Sequence, residues 1–227
     1  MLSPAVRGLR FAAEGTVPEY RAGQSMDLLV PTRGGLIMRR PYSVASAPGH
    51  AGASGLEFAV TRVEGGPTST ALHELQAGAM VEALGPNRGW LARRDDERDV
   101  SALLVATGSG LAPFRAVLQQ ELQRADGPPI ALLFGCRTRA DILWREELER
   151  WAATVRRFSL TVTLSRPDAD WRGATGWVQR HVLDAVRRVG PGVVLLCGLS
   201  PMTDAVERIV VEAGLPASLI RVEAYGA

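Results

Sequence analysis

Three segments of this 227-residue chain hold residue types at spacings suited to a phosphorylated ligand. The first, Val105-Ala-Thr-Gly-Ser-Gly-Leu-Ala-Pro-Phe-Arg115, joins an apolar run to a helical pattern through two glycines. Glycine lets a backbone approach phosphate closely, and a helix start offers unpaired N–H groups and a positive dipole end. Pro113 suits the first helical turn. Taken alone, the segment reads either as a nucleotide-binding turn or as a plain tight turn. Pro113 stands where G-x-G-x-x-G has its third glycine, and the Gly-Lys-Ser/Thr of a phosphate loop is absent. A serine-hydrolase elbow would need glycines two residues either side of Ser109, where Thr107 and Leu111 stand. The second segment, Arg39-Arg-Pro-Tyr-Ser-Val-Ala-Ser46, puts Arg40 and Tyr42 on one face of an extended strand, so cation and ring can address one ligand. The third, Gly65-Gly-Pro-Thr-Ser-Thr-Ala-Leu-His-Glu-Leu75, is a glycine turn opening a helix with hydroxyls in its first turn, a second anion site. These two also read as a strand with a proline and an ordinary capped helix.

Composition narrows the chemistry. The hydrophobic share is 46% and the charged share 22%, as in a globular chain with a sizeable core. Net charge is +2, too small to recruit nucleic acid as a global field. All 26 basic residues are arginine, which excludes a Schiff-base or phosphate-loop lysine. Cys136 and Cys197 are too few for a four-cysteine zinc or iron–sulfur centre. His50, His73 and His181 lack metal-ligand spacing, so no metal site is expected. Apolar runs such as Ala102–Ala106 are far too short to span a bilayer, and the N-terminus has no signal-peptide pattern; a soluble, cytoplasmic protein is expected.

The elements that must position these residues change character along the chain. From Arg10 to about Pro86 short apolar runs, some alternating as in Leu56-Glu-Phe-Ala-Val-Thr-Arg-Val63, predict an antiparallel sandwich or small barrel. The charged stretch Arg93-Arg-Asp-Asp-Glu-Arg-Asp99 reads as a solvated linker, dividing the chain into residues 1–98 and 99–227. Beyond it, strands are predicted at 102–107, 130–135, 159–164, 192–197 and 219–223. Helices are predicted at 113–124, 139–153, 175–188 and 201–213. That alternation predicts an α/β, Rossmann-like domain with a parallel five-stranded sheet, its ligand site beyond the carboxyl ends of the strands. Glu146, Glu147 and Glu149 read as the charged face of a helix whose stripe carries Trp144 and Trp151, and Asp168 and Asp170 as turn residues.

Arg40-Pro-Tyr-Ser43, Gly66-x-x-Ser69, Thr107-Gly-x-Gly-x-x-Pro113, Cys197-Gly-x-x-x-Met202 and Val222-Glu-Ala-Tyr225 together resemble, in order and over nearly the whole chain, the ferredoxin–NADP reductase family. The resemblance implies an N-terminal antiparallel β-barrel that binds FAD, followed by a domain for NADPH or NADH. It implies that Arg40 pairs with the flavin pyrophosphate, a contact suited to a guanidinium. Pro41 and Tyr42 would lie along the flavin, with Ser43 near its N5 and Val60 and Thr61 also in contact. Gly66, Pro67, Thr68, Ser69 and Thr70 would hold the pyrophosphate. Thr107, Gly108, Gly110 and Pro113 resemble the nicotinamide-nucleotide turn. Gly135, Cys136, Arg137, Ser165 and Arg166 would line the rest of that site, with Gly198 and Met202. Ser43, Cys197, Glu223 and Tyr225 resemble the catalytic set, Tyr225 covering the flavin until nicotinamide displaces it.

The implied activity is hydride transfer from NAD(P)H to flavin, then electron delivery to a separate partner: ferredoxin, flavodoxin or a monooxygenase component. A flavin reductase that releases reduced flavin, and a non-catalytic electron-transfer subunit, are the alternative functions. Arg166, with Arg137 and Arg139 nearby, favours NADPH over NADH. Arg33, Arg39, Arg88, Arg93 and Arg94 are candidates for an acidic partner's landing surface. Only six residues precede Arg7, which predicts a short or missing first barrel strand and an unpaired edge.

Overall fold

The computed structural model describes residues 1–15, 17–50, 52, 55–87 and 89–225. In the first half, alternating side chains fold inward from two antiparallel sheets. Strands β1 (Val6–Ala12) and β4 (Gly55–Thr61) pair with Leu9 opposite Phe58. Strand β2 (Ser25–Pro31) lies between β3 (Ile37–Ser43) and β5 (Glu82–Leu84). A single bridge, Val44 to Phe58, links the sheets. Leu9, Met26, Leu28, Phe58 and Leu72 fill the space between them, Leu72 coming from helix α1 (Pro67–Glu74). The antiparallel barrel is thus two sheets around one core. Among the described residues β1 pairs with β4 alone, so its other edge has no strand beside it.

In the second half, β6 (Ala102–Thr107), β7 (Ile130–Cys136), β8 (Phe158–Leu164), β10 (Val193–Leu199) and β11 (Ile220–Tyr225) fall within a residue or two of the expected strands. The sheet is parallel throughout, in the order β11-β10-β6-β7-β8-β9. Its sixth member, β9 (Ala174–Thr175), is a two-residue edge beside Thr163 and Leu164 that corrects the expected count of five. The same pairing displaces the helix expected at 175–188: α4 starts only at Val182 and runs to Val189. The remaining helices are α2 (Leu111–Glu121), α3 (Arg145–Thr154) and α5 (Ser200–Glu212).

Strand period separates two cores. Leu104, Leu132, Phe134 and Leu195 meet Phe114 of α2, whereas Leu103, Val105, Leu133 and Leu196 meet Val206 of α5. Covered on both faces, the central strands read as continuous apolar runs. The chain leaves β6 toward β7 and returns across it to β10, so the sheet order reverses between β6 and β10. Open sheets bind ligands beyond the carboxyl ends of the strands at such a reversal.

The charged stretch at 93–99 is solvated at Arg94, Asp95, Asp96, Arg98 and Asp99, but Arg93 and Glu97 tie it into the fold. Arg93 is buried and donates to the carbonyls of Glu97 and Val100. Glu97 accepts from Arg221 of β11 at 2.5 Å, and Arg221 also donates to the carbonyl of Ala92 at 2.8 Å. The halves are further joined by apolar contact, since Val6, Ala45, Ala59 and Leu91 belong to the same core as Phe114 and Leu118. Leu104 lies fully buried in that core. Leu104→Ala is therefore expected to cost about 2–5 kcal/mol, read as a lowered urea midpoint.

Candidate active site

The carboxyl end of β3 delivers Ser43 to the carboxyl end of β11, across the junction of the two halves. The Ser43 hydroxyl donates to Glu223 Oε1 at 3.0 Å and lies 2.7 Å from the Tyr225 hydroxyl. Register brings Cys197 into the same group: Ala106, Cys197 and Glu223 are aligned on β6, β10 and β11. Burial dominates the electrostatics. It raises the Glu223 carboxyl above its usual range, partly offset by the Ser43 hydrogen bond. Burial, then the adjacent Glu223, pushes the Cys197 thiol up, and the Tyr225 phenol is raised well above its ordinary value. Cys197 is a neutral thiol here, with no nucleophilic character.

Beside this group the glycines of the nucleotide turn are set by close approach. A Cβ on Gly110 would lie 2.3 Å from the Cys197 carbonyl oxygen. One on Gly198, at φ +154°, would lie 2.3 Å from Thr107 Oγ1 and 2.8 Å from Met202 Cε. The backbones of the β6 and β10 turns therefore touch, with Gly110 packed on Cys197 and Gly198 on Thr107 and Met202. Pro113 sits in the first turn of α2. Thr61, at the end of β4, donates to Ser109 Oγ at 2.8 Å and ties this turn to the first half.

On the first half, period 2 puts Met38, Arg40 and Tyr42 on one face of β3. Met38 Sδ lies 3.7 Å from Thr68 Oγ1, which brings the start of α1 to that face. Arg40 and Pro41 are exposed and Tyr42 half-buried. Arg40 donates only to its neighbour's carbonyl, and among the described residues no carboxylate pairs with it. The Ser69 hydroxyl stitches the turn by accepting from Val63 N–H and donating to the Gly66 carbonyl, and Thr70 N–H also bonds to Gly66. Pro67 has no N–H, and the first N–H groups of a helix, here those of Thr68 and Ser69, have no acceptor within it. An exposed guanidinium on the strand face that meets the start of α1 fits the pyrophosphate of FAD.

A third group lies at the ends of β7 and β8. Arg166 N–H bonds the Arg137 carbonyl at 2.7 Å and Ser165 N–H the Cys136 carbonyl at 3.0 Å, beside Gly135. Arg137 and Arg166 are exposed and, among the described residues, have no ion-pair partner. Arg139 is instead engaged by Asp168 at 3.0 Å and by the Trp171 ring. Burial pushes the Cys136 thiol up to about 12, so it too stays protonated.

Several expectations are corrected. The Val60 side chain is a core residue with no exposure, and its carbonyl bonds the His73 ring. Cys197 has no exposed surface and meets the site through Tyr225 and Glu223. The arginine landing surface does not form as a free patch. Arg33 pairs with Glu74, Arg39 with Asp27, Arg93 is buried, and Arg94 lies 3.9 Å from Glu97. Arg88, like Gly226 and Ala227 after Tyr225, is outside the described residues. Glu147 is not on a solvated helix face; it forms an ion pair with Arg115 at 2.5 Å. Arg115 itself went unassigned in the sequence. Its signal was a charge and an amide, Arg115 and Gln119, one helical turn apart among apolar residues of α2.

Residues 1–90 match the oxidoreductase FAD-binding domain family and residues 104–208 the oxidoreductase NAD-binding domain family. Ferredoxin–NADP reductase B of Sorangium cellulosum is 39% identical over 99% of this chain and 93% of that protein. Phenol hydroxylase P5 protein of Acinetobacter pittii is 31% identical over 90% of this chain, which spans 57% of that relative. Among solved structures, the flavohem-like FAD/NAD-binding domain of nitric oxide dioxygenase from Vibrio cholerae superposes with a TM-score of 0.87 at 21% identity, covering 100% of this chain and 95% of that one. An Amycolatopsis cytochrome P450 reductase superposes at 0.83 with 26% identity, covering 99% of this chain and 66% of that one.

Fold and site thus define an oxidoreductase that binds FAD and uses NAD(P)H. The chain belongs to the ferredoxin–NADP reductase family. No helix among the described residues is long and apolar enough to cross a membrane.

The raised Glu223 pKa makes a pH prediction. A carboxyl whose folded pKa lies above its unfolded value favours the fold only while protonated. The ionised form is a stability cost that develops as pH rises from the unfolded value of 4.5 and is complete above the raised folded value. Glu223→Gln should therefore match the parent in stability at pH 4 and exceed it at pH 8, measured by thermal melts across that range.

Proposed function

We propose that this chain takes hydride from NADPH, or less readily NADH, onto FAD and passes electrons to a separate protein. That acceptor would be a ferredoxin, a flavodoxin or a monooxygenase component. The Ser43–Glu223–Tyr225 junction carries the reading, because it places a hydroxyl, a carboxyl and a ring at the meeting point of the flavin half and the sheet reversal. The names of the relatives, a ferredoxin–NADP reductase and a phenol hydroxylase component, favour such a partner. We divide the chain into a flavin unit, residues 1–98, and a nicotinamide unit, residues 99–227.

Bound FAD supplies the hydride acceptor and lets a two-electron donor serve an acceptor of one or two electrons. The protein's part is placement. Arg40, Tyr42 and the Gly66–Thr70 turn hold the flavin, with Pro41 fixing the strand and Thr61 at its edge. Thr107, Gly108, Gly110, Pro113, Gly198 and Met202 hold the nicotinamide end of the nucleotide. Gly135, Cys136, Arg137, Ser165 and Arg166 hold its far end, the two free guanidinium groups receiving the extra phosphate of NADPH. Ser43 holds a proton 3.0 Å from Glu223 and orients the reacting edge, and Tyr225 yields its place to nicotinamide.

Anaerobic titration of the FAD-reconstituted protein with each nucleotide tests the reading. Bleaching of the flavin band supports it; a band that neither nucleotide bleaches overturns it. FAD lost on gel filtration would point instead to release of reduced flavin. Arg40→Ala is expected to weaken FAD binding roughly 10- to 100-fold, the worth of a charge-assisted contact, by fluorescence titration. Arg166→Ala should raise KM for NADPH about tenfold and leave KM for NADH unchanged, in steady-state assays.

A further inference from the structure

We propose that Arg115 is a positioning residue that fixes the flavin segment against the nucleotide turn; the inference rests on the redox reading above. Arg115 lies on α2, five residues beyond Gly110, with 10% of its side chain exposed. Its guanidinium bridges Glu57 of β4, in the flavin half, and Glu147 of α3 at 2.5 Å. It donates to the carbonyl of Ala45 at 2.9 Å and stacks 4.8 Å from the Trp144 ring centroid. One helical turn on, Gln119 accepts from Ala47 N–H at 2.9 Å and donates to Glu147 at 3.1 Å. The helix that begins at the nucleotide turn is therefore bonded at two points to the segment that leaves Ser43.

The network is not needed as glue. The halves already share an apolar core through Val6, Ala45, Ala59 and Leu91. What apolar contact lacks is direction. A planar guanidinium sharing its donors among two carboxylates and a carbonyl fixes angle as well as distance, which a point charge on a flexible stem does not. The placement matters because Ser43 is two residues from Ala45, and the turn held against Cys197 is one and a half helical turns from Arg115. An error of about 1 Å between reacting groups costs roughly 100-fold in rate.

The test uses FAD-reconstituted Arg115→Met, Arg115→Lys and Gln119→Leu beside the parent. Bound FAD and nucleotide affinity should stay within about threefold. The rate of anaerobic flavin bleaching by saturating NADPH should fall roughly 10- to 100-fold in Arg115→Met, less in Arg115→Lys, and about threefold to tenfold in Gln119→Leu. The long-wavelength absorbance of nicotinamide stacked on flavin should weaken in the same order. Without any nucleotide, amide exchange at Ala47 should quicken while Leu103–Val105 stay protected. If Arg115→Met does not fold, Gln119→Leu, which leaves both ion pairs intact, decides the matter. Unchanged bleaching, stacking absorbance and Ala47 exchange in variants that retain FAD overturn the proposal. So does a rate loss that only tracks lost FAD. A parent protein that neither nucleotide bleaches overturns the redox reading instead, and this inference with it.

Discussion

The contact on which the site depends is the insertion of Ser43 between Glu223 and Tyr225. It joins the last residue of a strand in the first half to the last strand of the second, residues 180 positions apart. Neither half holds this group alone. The parallel register sets its depth, since Cys197 must stand beside Glu223 and Ala106 for the β10 turn to lie against the β6 turn. Gly110 and Gly198 permit that approach because any side chain there would overlap backbone or Thr107. A hydrogen-bonded hydroxyl, two parallel pairings and two missing Cβ atoms thus define one point in space.

Around that point the chain uses arginine wherever the halves must be held at a fixed angle. Arg221 ties β11 to Glu97 and Ala92 two residues before Glu223, and Arg93 closes the same segment on itself. These guanidinium groups are buried, where an ammonium would lose its proton or its solvation more readily. Arg93 serves two carbonyls and Arg221 a carbonyl and a carboxylate, so the planar donor set reaches acceptors in more than one direction. The absence of lysine from the whole chain is consistent with that use. Arg40 on β3, and Arg137 and Arg166 just beyond β7 and β8, are exposed and among the described residues have no carboxylate partner.

The sequence made the five main strands legible because a parallel strand buried on both faces is one apolar run, as in Ala102–Ala106 and Val193–Cys197. It also made the glycine turns legible, since their spacing follows from local backbone geometry. Contacts that depend on distant packing were not. The resemblance implies a flavin contact for Val60, yet period 2 turns its side chain into the core. The 93–99 stretch reads as solvated throughout, yet the arrival of β11 brings Arg221 to pair with Glu97. β9 was hidden inside a helical pattern because two residues of pairing leave no periodic signature. Arg115 was hidden because a lone cation on a helix has a solvent-facing reading until Glu57 and Glu147 arrive from other elements.

Desolvation links these observations to chemistry. Burial disfavours the charged forms of Glu223, Cys197 and Tyr225 alike. In such surroundings a change in charge on a bound ring is felt strongly by fixed dipoles, and the Ser43 hydroxyl is the dipole held in place on both sides. The fixed positive charges sit farther out, at Arg40 and at the ends of β7 and β8, where phosphates would meet them. The fold separates exposed positive charge at the rim from a desolvated centre built on Ser43, Glu223 and Tyr225. That division explains why the centre needs no nucleophile and why geometry, more than acidity, sets what it can do.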